Sequence, residues 1–139
     1  MTNGMEHPMS ASLAAVNDCI RERLPADEMA AVQAFTRQYY AQVAAEDLLE
    51  RTVQDLYGAA LSHWRFVQRY VAGQTLLRVY NPRPEEHGWQ SAHTVIEIVG
   101  EDMPFLVDSI TMEINRQGLT QHLIIHPIMR MRQNAAGRL

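Results

Sequence analysis

Cysteine is almost missing from this sequence. Cys19 stands alone among 139 residues, which excludes an internal disulfide and suits a reducing compartment. Long apolar runs are missing as well. No stretch approaches the roughly 18 consecutive apolar residues of a membrane span, and Met1 to Ser10 lacks the basic and apolar regions of a signal peptide. The sequence therefore predicts a cytoplasmic protein with no membrane contact. Basic charge is scarce, with 12 Lys and Arg against 16 Asp and Glu for a net charge of -4. That is the wrong sign for coating phosphates, so nucleic acid is not an expected partner.

Reactive motifs are also lacking. The seven glycines are scattered singly, so there is neither a Gly-x-Gly-x-x-Gly nor a Walker loop, and no complete nucleotide site is expected. HExxH and CxxC are absent. His122 and His126 would lie about 13 Å apart on one side of a strand, too far to share an ion, so the six histidines predict no metal site. Ser109 follows Asp108, with His93 and His126 elsewhere, but no Gly-x-Ser-x-Gly elbow presents it and it falls mid-helix. No catalytic residue, cofactor or metal is predicted for these residues.

What is present is a patterned core. Hydrophobic residues make up 47% of the chain, enough for one domain, or for one small domain with a helical extension. After a polar stretch at 1–10, expected to be flexible, Leu13, Val16, Ile20 and Leu24 step as one face of a helix that Pro25 closes. A second helix is predicted from Asp27 to Ala44, with Met29, Val32, Phe35, Tyr39 and Val43 on its apolar side. A third is predicted without interruption from Glu46 to Val71, along Leu49, Val53, Leu56, Ala60, Trp64, Val67 and Val71. Trp64, Phe66 and Tyr70 at this spacing read as core, and Cys19 as a small buried hydrophobe. Thr75 to Tyr80 reads as a strand with Leu77 and Val79 on one side, followed by a turn at 81–84 and a polar loop from Glu85 to Ser91.

The most informative stretch runs from His93 to Leu123. Thr94 to Val99 is β-branched, with Ile96 and Ile98 alternating with Glu97, and reads as a strand. Asp102 is placed as a helix N-cap, Pro104 in the first turn and Gly118 at the end. Leu106, Ile110 and Ile114 recur along the helix between, with Val107 and Met103 beside them, so one side should cover a sheet. Leu123 to Met131 then reads as a strand, with Pro127 marking an edge or a bulge. Free N–H groups at the start of the helix would suit a small anion, such as an amino-acid carboxylate, at Gly100 to Leu106. Glu101 and Asp102 repel one, and a simple capped helix start is the plainer reading.

Asp102-Met103-Pro104-Phe105-Leu106-Val107, between a strand and a helix, resembles the Asp-x-Pro-Gly-Leu-[Leu/Val] turn of ACT domains, small βαββαβ modules that bind amino acids and join subunits. The longer run from His93 to Arg116 resembles the N-terminal ACT-like region of the large bacterial NAD-specific glutamate dehydrogenases. With Asp47 to Tyr57 and Arg78-Val-Tyr-Asn-Pro82, the resemblance spans roughly 46–132. It implies an α+β fold in which N-terminal helices (11–72) precede a partial ACT-like, ferredoxin-like β-α-β unit (73–139).

It also implies a non-catalytic regulatory or assembly region of a parent that converts L-glutamate and NAD to 2-oxoglutarate, ammonia and NADH, with NAD bound elsewhere in that parent. The expected partners are the remainder of the parent chain and a second copy, through the sheet edge or the helices. The alternative is a sensor that binds an amino-acid effector at Gly100, Glu101, Asp102, Met103, Pro104 and Phe105. Phe105 replaces the glycine usual in amino-acid-binding ACT domains, which favours a packed interface over a ligand. In the full βαββαβ plan a third strand inserts between the first two, so the strand at 94–99 is expected to need a neighbour, either Thr75 to Tyr80 or another chain.

Overall fold

The computed structural model describes residues 11–131. In chain order these form α1 (Ala11–Arg23), α2 (Ala26–Tyr39), α3 (Ala45–Leu49), α4 (Val53–Val67), β1 (Leu76–Tyr80), α5 (Pro84–His87), β2 (Val95–Val99) and α6 (Leu106–Arg116). The architecture is α+β, as the sequence predicts. The expected flexible segment at 1–10 lies outside the described residues.

Pro25 separates the first two helices. It stands extended as the N-cap of α2, and Asp27 and Glu28 in the following turn face the positive end of the helix dipole. α2 ends at Tyr39, short of the predicted Ala44. Tyr40 leaves helical geometry and is buried, and its hydroxyl donates to the Leu56 carbonyl at 2.7 Å. That tertiary anchor outweighs the helical preference of Ala41 and Gln42.

The long helix predicted over 46–71 is two helices. Thr52 stands extended between them, and its hydroxyl accepts from the Asp55 amide at 3.1 Å, a side-chain N-cap that starts α4 afresh. Arg51 closes α3 by donating to the Asp47 carbonyl at 2.9 Å. Leu49, a member of the predicted apolar stripe, is left in solvent.

α1, α2 and α4 pack together around Val16, Ile20, Val32, Phe35, Leu56 and Ala60. Trp64 sets its edge against Phe35 with ring centroids 5.3 Å apart, while Phe66 and Tyr70 are buried. The aromatic cluster is core, as expected, and Cys19 is partly buried against it.

β1 and β2 pair antiparallel, with Arg78 opposite Glu97 and Val79 opposite Ile96. Of the two neighbours expected for the strand at 94–99, the one at 75–80 pairs with it, with the faces of the sheet reversed. Leu77, Val79 and Ile96 point to solvent, whereas Glu97 is 3% exposed and turns toward α4. The reason is local: Glu97 finds an arginine, a tyrosine and a serine on the α4 side, and a buried carboxylate is tolerated only where such partners surround it.

The predicted polar loop after the turn contains α5 and an anchor. Gly88 takes a left-handed φ of 75° and closes α5, and Trp89 is then buried against Gly58 of α4. Gln54 donates to the Gly88 carbonyl at 2.8 Å, and the Gln90 amide donates to Asp55 at 3.2 Å.

α6 is the least settled element. It is strongly amphipathic, yet buries no residue fully and packs closely on no other element. It does not cover the sheet as predicted. Its end is as predicted: Gly118 takes a φ of 74° and the Leu119 amide donates back to the Ile114 carbonyl. The strand predicted at Leu123 to Met131 does not form among the described residues. The burial of the segment alternates residue by residue, as a strand's does, but a strand also needs a ladder partner, and among the described residues it has none.

Candidate functional site

The turn between β2 and α6 is where the sequence places an effector. Gly100, Glu101, Asp102, Met103, Pro104 and Phe105 are all exposed there. Asp102 is not the N-cap. α6 starts at Leu106, its N-cap is Phe105, and no side chain caps it. Phe105 takes a φ of 62° and a ψ of 14°, left-handed geometry that crowds Cβ against the following carbonyl. Pro104 disfavours helical geometry at Met103, which delays the start of the helix. Phe105 is 77% exposed.

We predict that Phe105→Gly stabilises the chain by about 0.5–1 kcal/mol, because the left-handed strain removed exceeds the added freedom of the unfolded glycine. Phe105→Ala, which keeps the strain, should gain nothing in the same urea titration. Equal stability of the two variants would refute the assignment of strain.

Asp108 and Ser109 are exposed on α6 and make no side-chain hydrogen bond to a histidine among the described residues. His93 and His122 stack with ring centroids 3.7 Å apart. Among the described residues no three His, Cys, Asp or Glu side chains converge as a metal cluster.

A second polar centre, between the sheet and α4, was not anticipated. Arg78 donates to Glu97 at 2.8 Å and to the Ser62 hydroxyl at 2.6 Å, and the Tyr80 hydroxyl donates to the same Glu97 oxygen. The guanidinium lies over the Tyr80 and Phe66 rings, 4.4 and 5.0 Å from their centroids. Burial first, and then the bond to Glu97, push the Tyr80 phenol up to about 12, so it remains a donor at neutral pH. The sequence signal was available: Arg78 and Tyr80 share one face of a strand opposite a lone glutamate.

Beside this centre His63 of α4 meets the Tyr39 hydroxyl at 3.1 Å, between the rings of Phe35, Tyr39 and Phe66. Burial lowers its pKa below the usual 6.5, although Glu97 opposes the shift. The unfolded chain therefore takes up this proton first as pH falls. The contribution of neutral His63 is complete above 6.5 and is lost as pH falls from there through the folded value. The urea midpoint of the wild type should fall more between pH 7.5 and 5.5 than that of His63→Gln. Parallel declines would rule out His63 as the source.

Between these centres runs a groove of about 1750 Å³. All of β2 lines it, and so do Leu106, Ile110 and Ile114 of α6 and residues 119–129. Most of its wall is apolar.

Comparison with known proteins matches residues 35–139 to the family described as "Glutamate dehydrogenase, ACT1 domain". The chain belongs to that family. The match takes in the end of α2 from Phe35, then α3, α4, the sheet and α6, and leaves out α1. The chain is similar to the NAD-specific glutamate dehydrogenase of Halomonas elongata, 44% identical over 127 residues, which is 91% of this chain and 8% of that protein. It is also similar to the NAD-specific glutamate dehydrogenase of Pseudomonas aeruginosa, 42% identical over 108 residues, which is 78% of this chain and 7% of that protein. The chain thus spans less than a tenth of the length of these relatives. No solved structure matches it. No helix among the described residues is long and apolar enough to cross a membrane.

Proposed function

We propose that these residues are the N-terminal ACT region of a large cytoplasmic NAD-specific glutamate dehydrogenase, and that they serve assembly and regulation rather than chemistry. The observation that carries this reading is the 44% identity over 91% of the chain to a relative more than ten times longer. The parent reaction is the oxidation of L-glutamate by NAD⁺ and water to 2-oxoglutarate and ammonium, with NADH and a proton released. NAD belongs to the remainder of the parent chain. These residues offer it no glycine-rich phosphate loop.

The test is an assay of the full-length gene product beside the 139-residue chain. Glutamate-dependent NADH formation is expected from the first and not from the second. Turnover by the 139-residue chain would sink the reading. Self-association through the sheet edge or the helices is part of the proposal. Sedimentation of the 139-residue chain as a monomer at all micromolar concentrations would remove that part.

A second reading, an amino-acid sensor at Gly100 to Phe105, is favoured by one feature: the first N–H groups of α6 have no side-chain cap. Glu101, Asp102 and Asp108 set three negative charges around them, and a carboxylate ligand would meet that repulsion. Calorimetry with a panel of amino acids is expected to give no heat. Saturable heat with any of them would reverse the order of the two readings.

A further inference from the structure

We propose that His93 and His122 together bind a late first-row divalent metal ion, Zn²⁺ or Cu²⁺, which ties the entrance of β2 to the chain that follows α6.

The two histidines stand at opposite ends of the β2–α6 unit, and the fold brings their rings to 3.7 Å between centroids with planes 12° from parallel. Both residues are exposed. Along the chain His122 and His126 are too far apart to share an ion, but across the fold His122 meets His93. Elsewhere His63 and His87 each have a ring nitrogen engaged, with the Tyr39 hydroxyl and the Arg83 amide. The rings of His93 and His122 are hydrogen-bonded to no described residue, and the bond that His93 does make runs from its backbone amide to the Ser91 hydroxyl. A neutral imidazole has one nitrogen lone pair to give, and here two such lone pairs are open to solvent side by side.

The spacing suits one ion. Two nitrogens bound at about 2.0–2.1 Å lie about 3–3.4 Å from each other when their bonds meet at about 90–110°. The stack already holds the rings near that separation. Convergence of the nitrogens needs only a tilt of each ring about its Cβ–Cγ bond, a soft torsion in histidine, and exposure leaves room for it.

The donor set selects the ion. Imidazole suits zinc, copper and nickel, whereas magnesium and calcium take oxygen. Among the described residues no third His, Cys, Asp or Glu joins the pair, so water completes the coordination. A structural zinc site takes four protein ligands. A site with two is exchangeable, and its occupancy follows the concentration of free ion. Its effect follows from its place: α6 packs closely on no other element, and an ion joining His93 to His122 closes the intervening chain into a loop, a constraint that packing does not supply.

Calorimetric titration of the chain with ZnCl₂ tests this. One equivalent is expected, with affinity about tenfold or more lower in His93→Gln and in His122→Gln, since the loss of even an outer partner of a metal ligand costs that much. His126→Gln should bind as the wild type does. CuCl₂ should bind more tightly than ZnCl₂, and MgCl₂ should give no heat. Zinc should raise the urea midpoint of the wild type and of His126→Gln, but of neither other variant. In the wild type, with no substitution needed, zinc should shift the ring-proton resonances of His93 and His122 and leave those of His63 and His87 in place. Absence of zinc binding overturns the proposal and leaves a plain stack of two surface rings. So does an equal loss of affinity in His126→Gln, and so do unshifted His93 and His122 resonances at saturating zinc.

Discussion

Replacing Gly58 with alanine should cost the chain about 2–4 kcal/mol, although the same change in the middle of an ordinary helix stabilises by about 1 kcal/mol. Gly58 lies within α4, and a Cβ there would collide with the Cβ of Trp89 and sit 2.8 Å from its Cδ1. The obstacle is the base of the indole side chain, and that base is held by backbone. Gln54 and Asp55 fix the residues on either side of Trp89, so it cannot swing aside without freeing the loop. The loss approaches that of deleting a buried tryptophan, about 3–5 kcal/mol, less the gain in helix propensity. Urea titration of Gly58→Ala and Trp89→Ala should give similar losses, and the double variant should lose scarcely more than either, because both remove one contact. A stabilised Gly58→Ala would show that the loop does not rest on α4.

Glu97→Leu should cost about 2–3 kcal/mol, whereas Glu97→Leu combined with Arg78→Met should be near neutral or stabilising. The single change leaves the Arg78 guanidinium at the sheet–helix junction without its carboxylate. A buried charge so abandoned costs about 3–5 kcal/mol; Arg78 keeps 32% of its side chain in water, which lowers the figure. The double change removes both charges and both desolvation costs. It also removes Arg78 Nε and Glu97 Oε2, which are buried and find no partner among the described residues. A double-mutant cycle in chemical denaturation measures the coupling. A double variant as unstable as the sum of the singles would show that the two residues act independently.

These effects bear on what can be read from residues alone. Pro25, Gly118 and the β-branched run at 95–99 act through their own backbone preferences, so the elements they bound were legible. Thr52 was missed because the stripe from Leu49 through Val53 steps evenly past it, and a stripe carries no information about a cap. The start of α6 was misplaced because Asp102 and Pro104 are good helix-start residues, whereas the actual cap is a phenylalanine in strained geometry that no propensity favours. Leu123 to Met131 has the alternation of a strand, and alternation describes a face, not a partner. At the candidate turn the residues were legible and their exposure was not. The polar centre was hidden by the rule that Ile96 and Ile98 face in and Glu97 faces out. That rule fails here because Arg78, Tyr80 and Ser62 supply a buried place for the carboxylate.

The reversed sheet has a consequence for the life of the chain in a cell. Leu77, Val79, Ile96, Phe105, Met112 and Ile128 are all exposed in the sheet half, while the helical half exposes only Leu49 among large apolar side chains of the described residues. A folded helical layer therefore carries an apolar surface with an open sheet edge, the kind of surface that aggregates when it is left uncovered and that chaperones retain.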